Sequence, residues 1–194
     1  MEIILASASV RREELLSRIV KKFKIISSDF DEESIEVKDD LPRYVMEISS
    51  GKARNVAKTL DGDFLVIGCD TIVCLKNQVL GKPKDEMQAR HMLKALSGNI
   101  HKVLTGITII NTVSNKLLTD YVCTEVKFSV LDDEVIEKYV KSGECLDKAG
   151  AYGIQGYGGI FVEEIHGCYY NVVGLPMNRL VFLLREMGVN ILKE

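Results

Sequence analysis

Residues 4–16, ILASASVRREELL, join a short apolar run to an amphipathic pattern, and this succession determines the fold class that we expect. Ile3–Ala6 predicts a buried strand, and the apolar residues on one face of Arg12–Ile19 predict a helix. Two serines and two adjacent arginines lie in the turn between these elements. A strand followed at once by a helix is the building unit of α/β folds.

The rest of the chain continues to interleave strand and helix patterns. Phe64–Cys69 is the most apolar run and predicts a central strand, and Pro176 opens a last helix. Further strands are predicted at Phe23–Ile26, 101–112, 116–130 and 160–165, and further helices after Asp39, Asp40 and Pro42, at 85–96 and at Asp132–Val140. We therefore expect an α/β fold in which a mixed sheet is flanked by helices, as one domain over residues 1–194.

Composition limits the partners and the location of the protein. A formal net charge of -3 argues against a general nucleic-acid binder, which needs clustered positive charge. The five cysteines show no CxxC spacing, so we expect reduced and mostly buried thiols. No apolar run approaches the ~20 residues of a membrane span, and no basic region opens the chain. These features predict a cytoplasmic protein without a membrane contact.

The turn SASVRR has two interpretations. The N–H groups at the start of a helix form an anion site, and the guanidinium groups of Arg11 and Arg12 would add paired contacts to a phosphate. Alternatively, Ser7 or Ser9 only caps the helix and both arginines are solvated. The turn by itself does not decide between them.

An acidic run and a lone aspartate provide candidate carboxylates. Residues 29–34, DFDEES, include Glu32, and carboxylates beside a phosphate site are the usual ligands of Mg²⁺ or Mn²⁺. A solvated charged loop is the alternative. Asp70 directly follows the apolar run Phe64–Cys69, where a carboxylate is costly to bury unless it is paired or metal-bound. Asp70 is therefore the sharpest candidate for a functional residue.

Two lysines beside glycines complete the candidate site. Lys52 lies in GKA and Lys82 in GKP, and either could be a point charge for a phosphate or a solvated side chain. Neither belongs to a P-loop, because the spacing GxxxxGK[ST] is missing. The three histidines are assigned structural roles. Together the clusters indicate a metal-assisted site for a phosphate or a nucleotide, with the reaction still open.

These motifs resemble one family along nearly the whole chain. ILASASVRREELL is similar to the opening signature of the Maf (septum formation inhibitor-like) nucleotide pyrophosphatases, LAS-x-SPRR-x-ELL. The resemblance continues in order through the following blocks: DE at 31–32, GKA at 51–53, GCDTIV at 68–73, GKP at 81–83, LSG at 96–98, DKAGAYGIQG at 147–156 and VVGLP at 172–176.

The resemblance implies an activity and a fold. It implies hydrolysis of a nucleoside triphosphate between its α- and β-phosphates, an inosine triphosphate pyrophosphatase-like fold and a divalent cation, Mg²⁺ or Mn²⁺. The AGAYGIQG segment resembles the branch that cleaves dTTP and UTP, in nucleotide house-cleaning. Family members are often dimeric, so a homodimer is expected, and the family name suggests a role in arresting septum formation.

The resemblance also implies roles for particular residues. Asp70 is the proton acceptor, and Arg11, Thr71 and Gln155 govern substrate choice. By its chemistry Asp70 is either the base or a metal ligand that orients the water, and Glu32 is a metal ligand. The expected phosphate contacts are Ser7, Arg12, Lys52 and Lys82. The Gln155 amide could match the O4 and N3–H edge of uracil or thymine and reject cytosine.

One departure and two alternatives remain. Val10 replaces the proline that the signature places before the arginine pair, and we expect this change to loosen the phosphate loop. The reaction could act on another or modified base, such as 7-methyl-GTP. A non-catalytic nucleotide-binding regulator of septum formation is the alternative from a different class.

Overall fold

The computed structural model of the chain describes residues 1–37 and 40–191. Its strands are β1 (Glu2–Ala6), β2 (Lys24–Ile25), β3 (Phe64–Leu75), β4 (Gln78–Leu80), β5 (Ile100–Asn111), β6 (Leu117–Phe128) and β7 (Val162–His166). Its helices are α1 (Val10–Ser17), α2 (Leu41–Ala57), α3 (Glu86–Leu96), α4 (Asp133–Lys141), α5 (Tyr169–Val173) and α6 (Met177–Glu186). Short 3-10 turns lie at Glu32–Ser34, Ala149–Ala151 and Tyr157–Phe161.

The strand order confirms the predicted α/β class with a mixed sheet. The hydrogen-bonded order is β2-β1-β3-β5-β6-β7, and β4 pairs with β3. β1 runs parallel to β2 and to β3, whereas β3–β4 and β6–β7 are antiparallel. Helices lie between most consecutive strands, as the alternation of patterns predicted, but β3–β4 and β5–β6 are joined without an intervening helix.

Local signals explain where the first helices begin. The carboxylate of Asp40 accepts a hydrogen bond from the Arg43 N–H at 3.0 Å and so caps α2. Asp39, which we expected to help open this helix, lies outside the described residues. α1 begins at Val10, two residues earlier than predicted, which makes Val10 the first helical residue.

The chain divides into two compact units. The first comprises the described residues of Met1–Asp70, Thr105–Val122 and Gly174–Glu194, and the second comprises Thr71–Leu104 and Cys123–Val173. The expectation of one domain over residues 1–194 stays a prediction. None of the helices within the described ranges combines the length and apolar character that a bilayer crossing requires.

Two glycines let α2 lie directly against strands of the first unit. A Cβ on Gly68 in β3 would fall 2.3 Å from the Ser49 carbonyl oxygen of α2. A Cβ on Gly106 in β5 would fall 2.2 Å from the Val45 carbonyl oxygen. Real Cβ atoms do not occur at such distances, so this close approach requires glycine at both positions. The approach brings the middle of α2 next to the part of β3 that carries Asp70.

The second unit is built around buried aromatic side chains. Phe128 makes edge-to-face contacts with His101, Tyr152 and Phe161, with ring centroids 4.7 to 5.9 Å apart. His101 Nε2 forms a hydrogen bond of 2.8 Å with the Tyr152 hydroxyl. The glycine-rich stretch 148–159 contributes Tyr152 to this core and follows neither helix nor strand period over its length, in agreement with its sequence. His101 thus has the structural role that we assigned to it.

Candidate active site

The arginine turn of the first unit is held together by Ser7. Its buried hydroxyl accepts hydrogen bonds from the Ser9 N–H and from Arg12 Nη1, both at 3.2 Å. Arg12 Nε donates to the Gly174 carbonyl at 2.9 Å. Ser9 occupies the N-cap position of α1, but its side chain makes no capping hydrogen bond. The turn therefore positions Arg12, and simple serine capping does not describe it.

Lys52 joins the two candidate carboxylates. Its ammonium lies 2.7 Å from Asp70 Oδ1 and 2.8 Å from Glu32 Oε1. The Lys52 and Asp70 side chains are 12% and 8% exposed, whereas Glu32 is 53% exposed. Desolvation makes an unpaired carboxylate costly at this depth, and the Lys52 ammonium offsets that cost for Asp70. This is the pairing that a buried Asp70 requires.

The location of Asp70 in the sheet differs from the prediction. We expected the strand to end at Cys69, with Asp70 just beyond it, but β3 continues from Phe64 to Leu75 and Asp70 lies within it. The apolar residues Ile72 and Val73 sustain the strand after the carboxylate, because their branched side chains suit a pleated, buried surface. Because Asp70 is paired with Lys52, its charge does not interrupt the strand.

The acidic loop is anchored on α2 rather than solvated as a whole. A Cβ on Gly51 would lie 2.3 to 2.6 Å from three ring atoms of Phe30, so the phenyl ring covers this glycine. Asn55 Oδ1 accepts from the Ser28 hydroxyl and from the Asp29 N–H, each at 3.1 Å. These contacts explain how Glu32, an exposed residue of the loop, reaches Lys52.

Phe30 and Asn55 were missed by the sequence analysis, and so was Tyr44. Burial, and then the negative charges of Asp70 and Glu32, raise the pKa of Tyr44. The phenol therefore lies within the field of both carboxylates and keeps its proton at neutral pH. A usable signal existed: Tyr44 precedes Lys52 by eight residues on α2, which places both on one helix face.

The charged groups of the site also affect the pKa of Cys69. Burial raises the pKa of its thiol to about 11, against the opposing effect of the positive charges of Arg12 and Lys52. The thiol is fully buried next to Asp70 in β3 and remains protonated at neutral pH. It is therefore a packing residue and not a nucleophile.

The remaining predicted residues are distributed over both units. Arg11 is half-buried in α1 of the first unit. Thr71, Lys82 and Gln155 belong to the second unit, where Thr71 is half-buried and the other two are exposed. Within that unit the Gly150 N–H donates to the Gly81 carbonyl at 3.1 Å, which ties the AGAYGIQG segment to GKP.

The carboxylates fit a divalent cation only in part. One oxygen of Asp70 and one of Glu32 lie 2.7 and 2.8 Å from the Lys52 ammonium. The first unit thus places both carboxylates around one positive charge. No cluster of three or more His, Cys, Asp or Glu side chains occurs in residues 1–37 and 40–191. Mg²⁺ is typically held by one or two carboxylates together with substrate phosphates. Glu32 and Asp70 supply two carboxylates, the number that this mode of binding uses.

A model of the family "Maf-like protein" matches residues 2–187. The chain is 61% identical to a dTTP/UTP pyrophosphatase of Clostridium botulinum (strain 657 / Type Ba4) over 191 residues, which are 97% of this chain and 98% of the relative. It is 57% identical to a dTTP/UTP pyrophosphatase of Clostridium tetani over 192 residues, 98% of this chain and 100% of the relative.

Two solved structures are similar to the chain at low sequence identity. A HAM1 protein from Coxiella burnetii is similar with a TM-score of 0.49 at 16% identity, covering 96% of this chain and 99% of that one. A nucleoside-triphosphatase (dITP/XTP pyrophosphatase) from Mycobacterium abscessus has a TM-score of 0.41 at 12% identity, covering 68% and 76%. The match over residues 2–187 and the identities to full-length relatives establish the family: the chain belongs to the Maf-like proteins.

Proposed function

We propose that the protein is a pyrophosphatase that hydrolyses dTTP and UTP to the nucleoside monophosphate and pyrophosphate. Curated relatives that are 57% to 61% identical over nearly their full length carry that name. The structural observation that carries the proposal is the buried Asp70 carboxylate, held 2.7 Å from the Lys52 ammonium. A structural core does not need such a pair, whereas general base catalysis needs an oriented carboxylate.

Asp70 takes a proton from the water that attacks the α-phosphorus. Lys52 holds its Oδ1 and thereby fixes the orientation of the carboxyl group. The continuous strand β3 and the close contact of α2 with Gly68 maintain this geometry. Proton transfer to a positioned carboxylate contributes about 10²- to 10⁴-fold to the rate.

Cationic side chains bind the triphosphate. Arg12, oriented by Ser7 and the Gly174 carbonyl, donates to a phosphate oxygen, and the Ser7 hydroxyl supports it. Lys52 and Lys82 contribute positive charge, which stabilises the charge that develops during phosphoryl transfer. Arg11 and Thr71 contribute to substrate choice, and the amide of Gln155 donates to and accepts from the edge of uracil or thymine.

Glu32 and Asp70 would hold a divalent cation, Mg²⁺ or Mn²⁺. Such a cation would neutralise phosphate charge when it is bound with the substrate. The anchoring of the acidic loop by Phe30 and Asn55 keeps Glu32 in place for this role. The protein is further proposed to act as a homodimer in the cytoplasm, in keeping with its family, and light scattering on the purified protein tests the dimer.

One assay tests the activity and separates the alternatives. Pyrophosphate release is measured with UTP, dTTP, CTP and 7-methyl-GTP in the presence of Mg²⁺ or Mn²⁺. We expect turnover of UTP and dTTP above the other two substrates. Preference for 7-methyl-GTP would instead indicate action on a modified base, and binding of UTP without turnover would indicate a non-catalytic regulator.

The role of Asp70 is tested by Asp70→Asn, which retains the shape of the side chain. We expect loss of UTP hydrolysis by at least about 10²-fold with a folded protein, as judged by circular dichroism. Asp63→Asn is the matched control, because Asp63 is an exposed carboxylate that pairs with the N-terminus just before β3. An undiminished rate in Asp70→Asn would refute its role as proton acceptor.

A further inference from the structure

The turn that carries Gln155 is held from both sides by a small hydrogen-bond network. This turn, residues Gly153–Gly156, is closed by a hydrogen bond from the Gly156 N–H to the Gly153 carbonyl at 3.3 Å. Gln155 is exposed on it. The network consists of Glu144, which follows α4, and Tyr139, which lies in α4. All of these residues belong to the second unit.

Glu144 fixes the C-terminal end of the turn. Its Oε2 accepts from the Tyr157 N–H at 2.8 Å, and its Oε1 accepts from the Gly158 N–H at 3.1 Å. These N–H groups open the 3-10 turn Tyr157–Phe161, whose N-cap residue, Gly156, has no side chain to satisfy them. A carboxylate from another segment thus replaces the missing cap, and its charge strengthens both hydrogen bonds.

Tyr139 fixes the N-terminal end. Its hydroxyl accepts from the Gly153 N–H at 3.2 Å and donates to Glu144 Oε1 at 3.0 Å. The tyrosine is 5% exposed, and its ring contacts Phe161 edge-to-face at 4.8 Å. Burial raises the pKa of this phenol, so it remains a donor across the physiological pH range.

Gly156, in the turn, and Gly158, just after it, leave room for the side chains of this network. A Cβ on Gly156 would lie 2.3 Å from Glu144 Oε2, and a Cβ on Gly158 would lie 2.9 Å from the Tyr139 hydroxyl. The backbone therefore approaches the two polar groups as closely as it can.

We propose that Glu144 and Tyr139 are positioning residues that set where Gln155 presents its amide to the nucleotide base. The inference rests on the proposed function, in which Gln155 distinguishes uracil and thymine from cytosine. Discrimination by hydrogen bonds depends on an amide held to within about 0.5 Å, and an exposed side chain obtains that precision only from its backbone. Loss of the network reduces the preference for UTP over CTP more than it slows the chemical step.

The test uses Glu144→Gln and Tyr139→Phe, with kcat and KM measured for UTP and CTP. The first variant retains the side-chain length but replaces one acceptor with an amide, and the second removes only the hydroxyl from a packed ring. We expect the ratio of kcat/KM for UTP over CTP to fall about tenfold in both, mostly through KM for UTP. Glu134→Gln, on the exposed face of α4, is the matched control and retains the wild-type ratio.

A double-mutant cycle separates positioning from general stability. In a Gln155→Ala background, Glu144→Gln changes the ratio by less than about twofold, because the group to be positioned is gone. A purely structural role would lower kcat for both nucleotides together and leave the ratio unchanged. A wild-type ratio in Glu144→Gln and Tyr139→Phe overturns the inference, and so does a wild-type ratio in Gln155→Ala.

Failure of the proposed function is recognised separately. It appears as absence of pyrophosphate release from UTP by the wild-type protein, before any variant is compared. The network itself is then probed without substrate, by amide hydrogen exchange of Gly153, Tyr157 and Gly158. Faster exchange of these amides in Glu144→Gln than in Glu134→Gln shows that Glu144 holds the turn, as the inference requires, and equal exchange overturns the inference.

Discussion

Lys52 and Asp70 form an ion pair of 2.7 Å, with both side chains almost entirely removed from solvent. The pair connects α2 to β3 at the place where Gly68 lets the helix approach the strand. Surface ion pairs contribute little to stability, but breaking a buried pair leaves an uncompensated charge. The chemistry of the site and the stability of the first unit therefore depend on the same contact.

Lys52→Met should destabilise the protein strongly. We expect the free energy of unfolding to fall by about 3 kcal/mol, because Asp70 keeps a buried charge without its partner. Urea denaturation followed by circular dichroism measures this change. Lys94→Met is the control, since Lys94 pairs with Asp133 on the surface and its loss should cost less than about 1 kcal/mol. Equal losses in the two variants would contradict the role of burial.

Phe30→Ala should weaken the response to the metal while leaving the fold intact. Without the ring over Gly51, the acidic loop loses an anchor and Glu32 loses its fixed position beside Lys52. Removal of such supporting contacts typically lowers metal affinity about 10-fold or more, so the Mn²⁺ concentration for half-maximal activity should rise accordingly. Phe182→Ala, which removes an exposed ring from α6, should leave the Mn²⁺ dependence unchanged.

Acid should destabilise the second unit through His101. Burial lowers the pKa of His101 to about 4, from an unfolded value of about 6.5. Between these two pKa values the unfolded chain binds more protons than the native state. The free energy of unfolding therefore keeps the whole contribution of His101 above pH 6.5 and loses it as the pH drops toward 4. The loss amounts to roughly 3 kcal/mol at its limit.

Denaturation at pH 7.5 and pH 4.5 checks this expectation. His101→Gln retains a polar group for the Tyr152 hydroxyl but cannot take up the proton, so the difference between the two pH values should shrink. His91→Gln, at an exposed position of α3, should leave the difference as it is. A pH dependence that survives in His101→Gln would assign the effect to other groups.

Thiol reagents should distinguish the cysteines by burial. Cys123 is exposed on β6, whereas Cys69, Cys74 and Cys145 are buried, which agrees with the prediction of mostly buried thiols. We expect one equivalent of iodoacetamide to label Cys123 first in the native protein and Cys69 only after unfolding. Peptide mass mapping reads out the sites. Early labelling of Cys69 would contradict its burial in β3.

The residues that could be predicted from sequence are those whose signal is local. Asp70 interrupts an apolar run, and a carboxylate in that setting needs a partner wherever the strand ends. The start of α2 follows from Asp40 and Pro42 because capping acts over three residues. The exact end of β3 could not be predicted, because a charged residue inside an apolar run has the same pattern as a strand end.

The residues that were missed act through contacts between distant segments. Phe30 packs on Gly51, and Glu144 accepts from Tyr157, although nothing in either local sequence specifies the partner. Helix α5, Tyr169–Val173, was missed because five residues are too few to display a helical period. Lys82 and Gln155 were selected by motif, and the Gly81–Gly150 hydrogen bond now relates their segments.

Val10, the first residue of α1, replaces the proline of the family signature, yet the backbone just before it is compatible with a proline. Ser9 has φ -77° and ψ 112°, the extended geometry that is favoured before proline. Val10→Pro should therefore raise the free energy of unfolding by about 0.4–1 kcal/mol in urea denaturation, with unchanged kinetics for UTP. The valine gives the unfolded chain more conformations to lose on folding. Its cost is paid in the entropy of the denatured state, while the arginine turn of the folded state is preserved.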